Sequence, residues 1–115
     1  MKARIPNQGD NRAAMMKKLQ DMQDEMGRVQ EEIEQTEFSA TSGGGAVTAR
    51  VNGAHEVLGL ELKPEIVDPE DVEILSDMIV AAVNEAMRKA QQTMDSEMGK
   101  LTGGLNMPGI PGLGL

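Results

Sequence analysis

Apolar residues in the first third of the chain recur at helical spacing. Met15, Leu19, Met22, Met26, Val29 and Ile33 follow one another at steps of four, three, four, three and four, which sets them on one narrow stripe of an α-helix. The stripe predicts a long first helix from about Asn11 to Thr36. A seam this narrow suits a partner helix better than a broad sheet, so the helix is expected to project as half of a coiled pair. The alternative is an ordinary amphipathic helix lying on a sheet.

The period then changes to two. Val47, Ala49 and Val51 alternate with Thr48, Arg50 and Asn52, and the run from Val57 to Leu62 sets Leu58, Leu60 and Leu62 on one face. Both runs read as half-buried strands. Asn52-Gly53-Ala54-His55 between them tolerates positive φ and predicts a tight hairpin. A short strand, Glu37 to Thr41, precedes them, joined through Gly43-Gly44-Gly45. Three glycines also suggest a phosphate-cradling loop. Such a loop leads into a helix and carries Gly-Lys-Ser or Gly-Lys-Thr, whereas here a strand follows and neither element is present.

A second helix start is written at Asp68-Pro69-Glu70-Asp71. Asp68 suits the cap, Pro69 the first helical position, and the acids the positive end of the helix dipole. The helix continues through Val72, Leu75, Ile79, Ala82, Ala86 and Ala90 toward Met98. Its centre, Met78 to Val83, is apolar all round and calls for cover on several sides. One side can face the chain's own sheet, and the other requires the first helix or a second protomer. The order is α-β-β-β-α: an α+β fold with a three-stranded antiparallel sheet and two long helices. Residues 1–10, without periodicity, are expected to form a flexible N-terminal arm. From Thr102 the sequence TGGLNMPGIPGLGL is too rich in Gly and Pro to continue as helix, so residues 102–115 are expected to be a flexible tail, its Ile110, Leu113 and Leu115 either binding a partner or simply tolerated.

Composition adds a constraint on assembly. The 115 residues include no Trp, Tyr or Cys, one aromatic, Phe38, and ten Met. A monomer would have to build a thin core from Met, Leu, Ile, Val and Ala, which favours a core shared between two copies. Cysteine's absence excludes disulfides and thiolate sites. No apolar run follows the charged N-terminus, and the longest aliphatic run falls far short of the ~20 residues of a membrane span, so a cytoplasmic protein without a membrane partner is expected. Catalysis has little to stand on: His55 is the single histidine, with no cysteine to pair with it and no metal-ligand spacing among the acids. No enzyme activity, metal, cofactor or small-molecule substrate is expected.

Net charge is −8, which taken alone argues against nucleic acid. Its distribution changes the argument. Residues 1–18 hold Lys2, Arg4, Arg12, Lys17 and Lys18 against Asp10 alone, and Arg88, Lys89 and Lys100 lie toward the end of the second helix. The first helix enters the sheet by its C-terminus and the second leaves it by its N-terminus, so both free ends can reach out on the same side and gather these cations. Arg12, Lys17, Lys18, Arg88, Lys89 and Lys100 are therefore the candidate DNA-phosphate contacts. The same residues also fit a solvated surface or a helix C-terminal dipole. Arg28 is left out, since Asp24, Glu31 and Glu32 stand at helical spacing from it, and Arg50 can pair across the strands with Glu61.

Taken together, Met15 to Gly27 (MMKKLQDMQDEMG), Ser42-Gly43-Gly44-Gly45 with Val47, Val51-Asn52-Gly53, Glu56 to Leu60, Asp68 to Asp71 and Ile79 to Ala86 resemble the YbaB/EbfC family of bacterial nucleoid-associated proteins. The resemblance spans roughly residues 15 to 107. It implies a homodimer with a joined β body from which helices protrude, double-stranded DNA bound by those helices with little sequence preference, and a location in the nucleoid. Residues 11–101 would then form one dimerisation and DNA-binding domain, with Leu58, Leu60, Leu62, Ile79, Val80 and Val83 at the dimer interface. An alternative is a helical-pronged scaffold or chaperone that grips proteins through Met15, Met22 and Met26.

Overall fold

The structure, a computed structural model, describes residues 4–103, with side chains described from residue 11. Helix α1 spans Arg4–Glu34, strands β1, β2 and β3 span Glu37–Ser42, Val47–Asn52 and Val57–Leu62, and helix α2 spans Val72–Thr102. Single 3₁₀ turns occupy Gly43–Gly45, Pro64–Ile66 and Pro69–Asp71. The expected α-β-β-β-α order is the one observed.

α1 begins at Arg4, ahead of the Asn11 start that the apolar seam predicts. Within the arm expected over residues 1–10, residues 4–10 are thus helical. Pro6 is tolerated there because it falls in the first turn, where a backbone N–H has no partner inside the helix anyway. Of the expected tail, residues 104–115 lie outside the described residues.

The strands pair antiparallel in the order β1-β2-β3. Phe38 lies opposite Val51, Ala40 opposite Ala49 and Ser42 opposite Val47, while Leu62 and Leu60 face Val47 and Ala49 from the other side. Directly opposed residues share a face, and this one is the core face: Val47, Ala49 and Val51 are fully buried. α2 covers it along Ala82, Ala86 and Ala90, whose small side chains let the helix approach the sheet closely. The Asp68 carboxylate accepts from the Glu70 N–H at 2.9 Å, so the expected cap opens a 3₁₀ turn that leads into α2.

Two glycine positions tie the connections to the core. Gly43, Gly44 and Gly45 all adopt positive φ (61°, 67° and 94°), which other residues rarely do. Next to them the Ser42 hydroxyl donates to the Met78 carbonyl at 2.6 Å. The glycines turn the chain within the sheet and hold no anion-binding helix start. In the β2–β3 hairpin the Asn52 side-chain oxygen accepts from the N–H groups of Ala54 and Glu56, both at 3.0 Å. The positive φ there belongs to His55 (66°), not to Gly53.

These contacts set the direction of the helices. Met78 stands beside Ser42, and the Lys89 ammonium donates to the Ser39 carbonyl at 2.8 Å, so α2 runs antiparallel to β1 and leaves the sheet past Glu37. α1 arrives at that same end. The two helices then continue side by side, antiparallel, away from the sheet. Each has 31 residues, about 46 Å of helix. The radius of gyration, 22.7 Å, far exceeds the ~13 Å of a compact domain of this size, because much of both helices projects.

Candidate nucleic-acid interface

The seam on α1 changes character along its length. Ile33 is buried, at 6% exposed, Val29, Met26 and Met22 are half-buried, and Leu19 and Met15 are 46% and 63% exposed. The inner half is a helix–helix seam with α2, as the narrow stripe predicts. Residues 11–21 are all exposed, and Arg12, Lys17 and Lys18 sit on this outer stretch.

Lys17 lies 3.9 Å from Asp21, and Lys18 makes no ion pair among the described residues. On α2, Lys100 stands in the last turn and meets Glu97 at 3.2 Å. Such exposed pairs contribute ~0.2–0.5 kcal/mol each, too little to keep these cations from a phosphate. Arg88 and Lys89 are placed differently. They lie near the middle of α2, where Arg88 pairs with Glu85 at 2.8 Å and Lys89 bonds the edge of β1. Sequence distance alone groups them with the helix tip; the structure sets them beside the sheet.

Acidic residues follow at once. Asp21, Asp24, Glu25, Glu31, Glu32 and Glu34 line the inner part of α1. Arg28 is enclosed by Glu25 and by Glu32, the latter at 2.7 Å. Its hydrogen bond to Glu25 holds that carboxyl below its ordinary pKa and raises the guanidinium's own. On the outer face of the sheet Arg50 lies over Gly59, where any β-carbon would strike the guanidinium, and meets Glu37 at 3.4 Å and Glu61 at 3.9 Å. Each of these arginines is shared between two carboxylates, whereas Lys17 and Lys100 each meet one.

A second surface is apolar. β3 is an edge strand, and Leu58 and Leu60 are 45% and 41% exposed; Val80 on α2 is 54% exposed, and Leu62, Ile79 and Val83 are half-buried. A β-bulge places Val57 opposite Val51, which puts Val57 on the core face with the leucines. Val57 and Val72 are exposed as well, and Val72 shares a shallow groove with Ile79 and Val80. The central segment of α2, expected to be covered on several sides, is covered by the sheet on one. Of the methionines that the alternative reading assigns to protein binding, Met15 is exposed and Met22 and Met26 are half-buried.

His55 is exposed in the hairpin turn, and among the described residues no group of three or more His, Cys, Asp or Glu is gathered to hold a metal. No described helix is long and apolar enough to cross a membrane.

Fold and surface together define a small α+β protein with paired helical projections, with Arg12, Lys17, Lys18 and Lys100 toward their outer ends and Arg28, Arg88 and Lys89 further in. The chain belongs to the YbaB/EbfC DNA-binding family, whose family model matches residues 8–105. A nucleoid-associated protein of Alkaliphilus metalliredigens is 55% identical over 96 residues, 84% of each chain. One of Pelotomaculum thermopropionicum is 53% identical over 102 residues, covering 89% of this chain and 97% of its own. The same architecture is found in the crystal structure of an uncharacterised protein from Helicobacter pylori, with a TM-score of 0.57 and 24% identity over 68% of this chain and 90% of that one. That likeness concerns the fold alone.

Proposed function

We propose that this chain is a homodimeric, nucleoid-located protein that binds double-stranded DNA with little sequence preference through the outer parts of its projecting helices. The observation that carries the reading is the position of Arg12, Lys17 and Lys18 on the exposed stretch of α1, on a chain whose relatives are named nucleoid-associated proteins. Lys100, at the end of α2, joins them. Arg88 and Lys89 take part where a duplex reaches in toward the sheet. Phosphate contacts carry no base information, so binding of this kind is indifferent to sequence. The homodimer joins two sheets through Leu58, Leu60, Leu62, Ile79, Val80 and Val83 and presents two sets of prongs to one duplex.

Few cations on an acidic chain give weak binding with a strong salt dependence. Each phosphate neutralised contributes about −0.9 to the slope of log affinity against log salt. Fluorescence anisotropy of a labelled random-sequence duplex at stepped salt tests this. A linear log-log loss of affinity, unchanged when the duplex sequence is shuffled, is the expected result. No binding at low salt by a dimer of verified mass would remove DNA from the reading.

A further inference from the structure

The helical cover of α1 ends before α1 does. α2 stops at Thr102, with Met94, Met98 and Leu101 half-buried, and among the described side chains of α1 the half-buried positions reach back no further than Met22. Beyond that point Leu19 and Met15 continue the same seam into solvent, beside an open groove lined by Asn11, Ala14, Met15 and Lys18. The antiparallel packing of the helices sets Gly103 next to the place where the cover is lost. Twelve residues follow it, GLNMPGIPGLGL, without a charged side chain and with Leu105, Met107, Ile110, Leu113 and Leu115 among them.

We propose that residues 104–115 dock on the uncovered seam of α1, placing their apolar side chains against Leu19 and Met15. Reach is ample: the extended segment spans up to ~40 Å, whereas Met22 to Met15 is about 10 Å along the helix. Pro108 and Pro111 do not suit a helical continuation of α2. Charge favours this occupant. At 100° per residue Arg12 and Lys18 flank Met15 by about 60° on either side, and a strip without charged side chains lies between two cations without setting another cation against them. Tethering favours it too, since a covalently linked segment is present at an effective concentration of order millimolar, while another protein must be drawn from solution. Lys17 points to the opposite side of α1, so the docked segment leaves it open. The inference stands apart from DNA binding.

The chain has no cysteine, so Leu113→Cys gives one attachment point for a nitroxide on the full-length protein, with ¹³C-labelled methionine methyls as reporters. Selective broadening of Met15, with Met78 in the sheet body unaffected, is expected. The broadening should persist when the labelled chain is diluted with excess unlabelled protein, and fall several-fold in a Leu19→Gln background, a change at an exposed site that leaves the fold intact. Absence of Met15 broadening, its loss on dilution, or indifference to Leu19→Gln would each overturn the docking.

Discussion

The carbonyl oxygen of Ile33 occupies the space where any side chain at position 53 would begin: a β-carbon on Gly53 would stand 2.0 Å from it. The end of α1 is thereby pressed onto the β2–β3 hairpin, backbone against backbone. Gly53 is fixed by proximity to another element and not by its own dihedral angles.

Gly53→Ala is therefore expected to force the hairpin and the last turn of α1 apart. Overpacking of this kind costs ~1–3 kcal/mol, and backbone atoms yield less readily than side chains, so the upper part of that range is expected. Gly44→Ala meets no neighbouring atom but must hold φ at 67°, a left-handed conformation costing of order 1 kcal/mol. Urea denaturation at one fixed protein concentration should rank the two with Gly53→Ala the more damaging.

Lys17→Glu with Lys18→Glu is expected to weaken duplex binding and flatten the salt slope by roughly one for each phosphate no longer neutralised. Both side chains are exposed, so circular dichroism and thermal midpoint should stay unchanged. Lys89→Glu should behave otherwise. It removes the bond to the Ser39 carbonyl and sets a carboxylate against that oxygen, so lower stability accompanies any change in binding.

How much of this architecture is legible in the sequence follows from what a one-dimensional pattern can encode. The steps from Met15 to Ile33 announce a helix seam, and Val47, Ala49 and Val51 announce a covered strand face, because each is a local periodicity. Where the seam loses its cover depends on where α2 ends in space, which no local period records. Alternation assigns Val57 to the polar face; the bulge between Arg50 and Val51 in the register shifts it to the other. Lys89 looks like a tip residue from its distance to the sheet in sequence, yet α2 is still crossing β1 there. The turn pattern expects positive φ within Asn52 to His55, and His55 supplies it; the constraint on Gly53, the approach of a residue twenty positions away in the chain, is one that no local pattern records.

Arg28→Gln should return the Glu25 carboxyl to its ordinary pKa, read by ¹³C titration of the side-chain carboxyl. In the native protein that pKa is lowered, chiefly by the hydrogen bond from Arg28. A depressed folded-state value means the interaction favours folding at pH above the unfolded carboxylate's pKa and is lost as pH falls through the folded one. The group is exposed, so the acid-side loss is small, and it should be absent in the variant.

Leu58→Asp with Leu60→Asp is expected to convert the proposed homodimer to the 12.3 kDa monomer in sedimentation equilibrium. Both leucines are more than two-fifths exposed on the isolated chain, so the substitution does little to the fold. Across an interface the same change acts more strongly. It removes apolar burial worth about 25 cal/mol per Å², it takes carboxylates out of water, and two-fold symmetry applies each effect twice. The matched control is Glu61→Gln, on the outer face of the same strand beside Arg50, which should leave the mass unchanged. If the dimer is what lets four prongs meet one duplex, the monomeric variant should also bind DNA more weakly at equal chain concentration while keeping Lys17 and Lys18. Affinity retained in full by a monomer would separate DNA binding from dimerisation and leave each pair of helices as a complete binding unit.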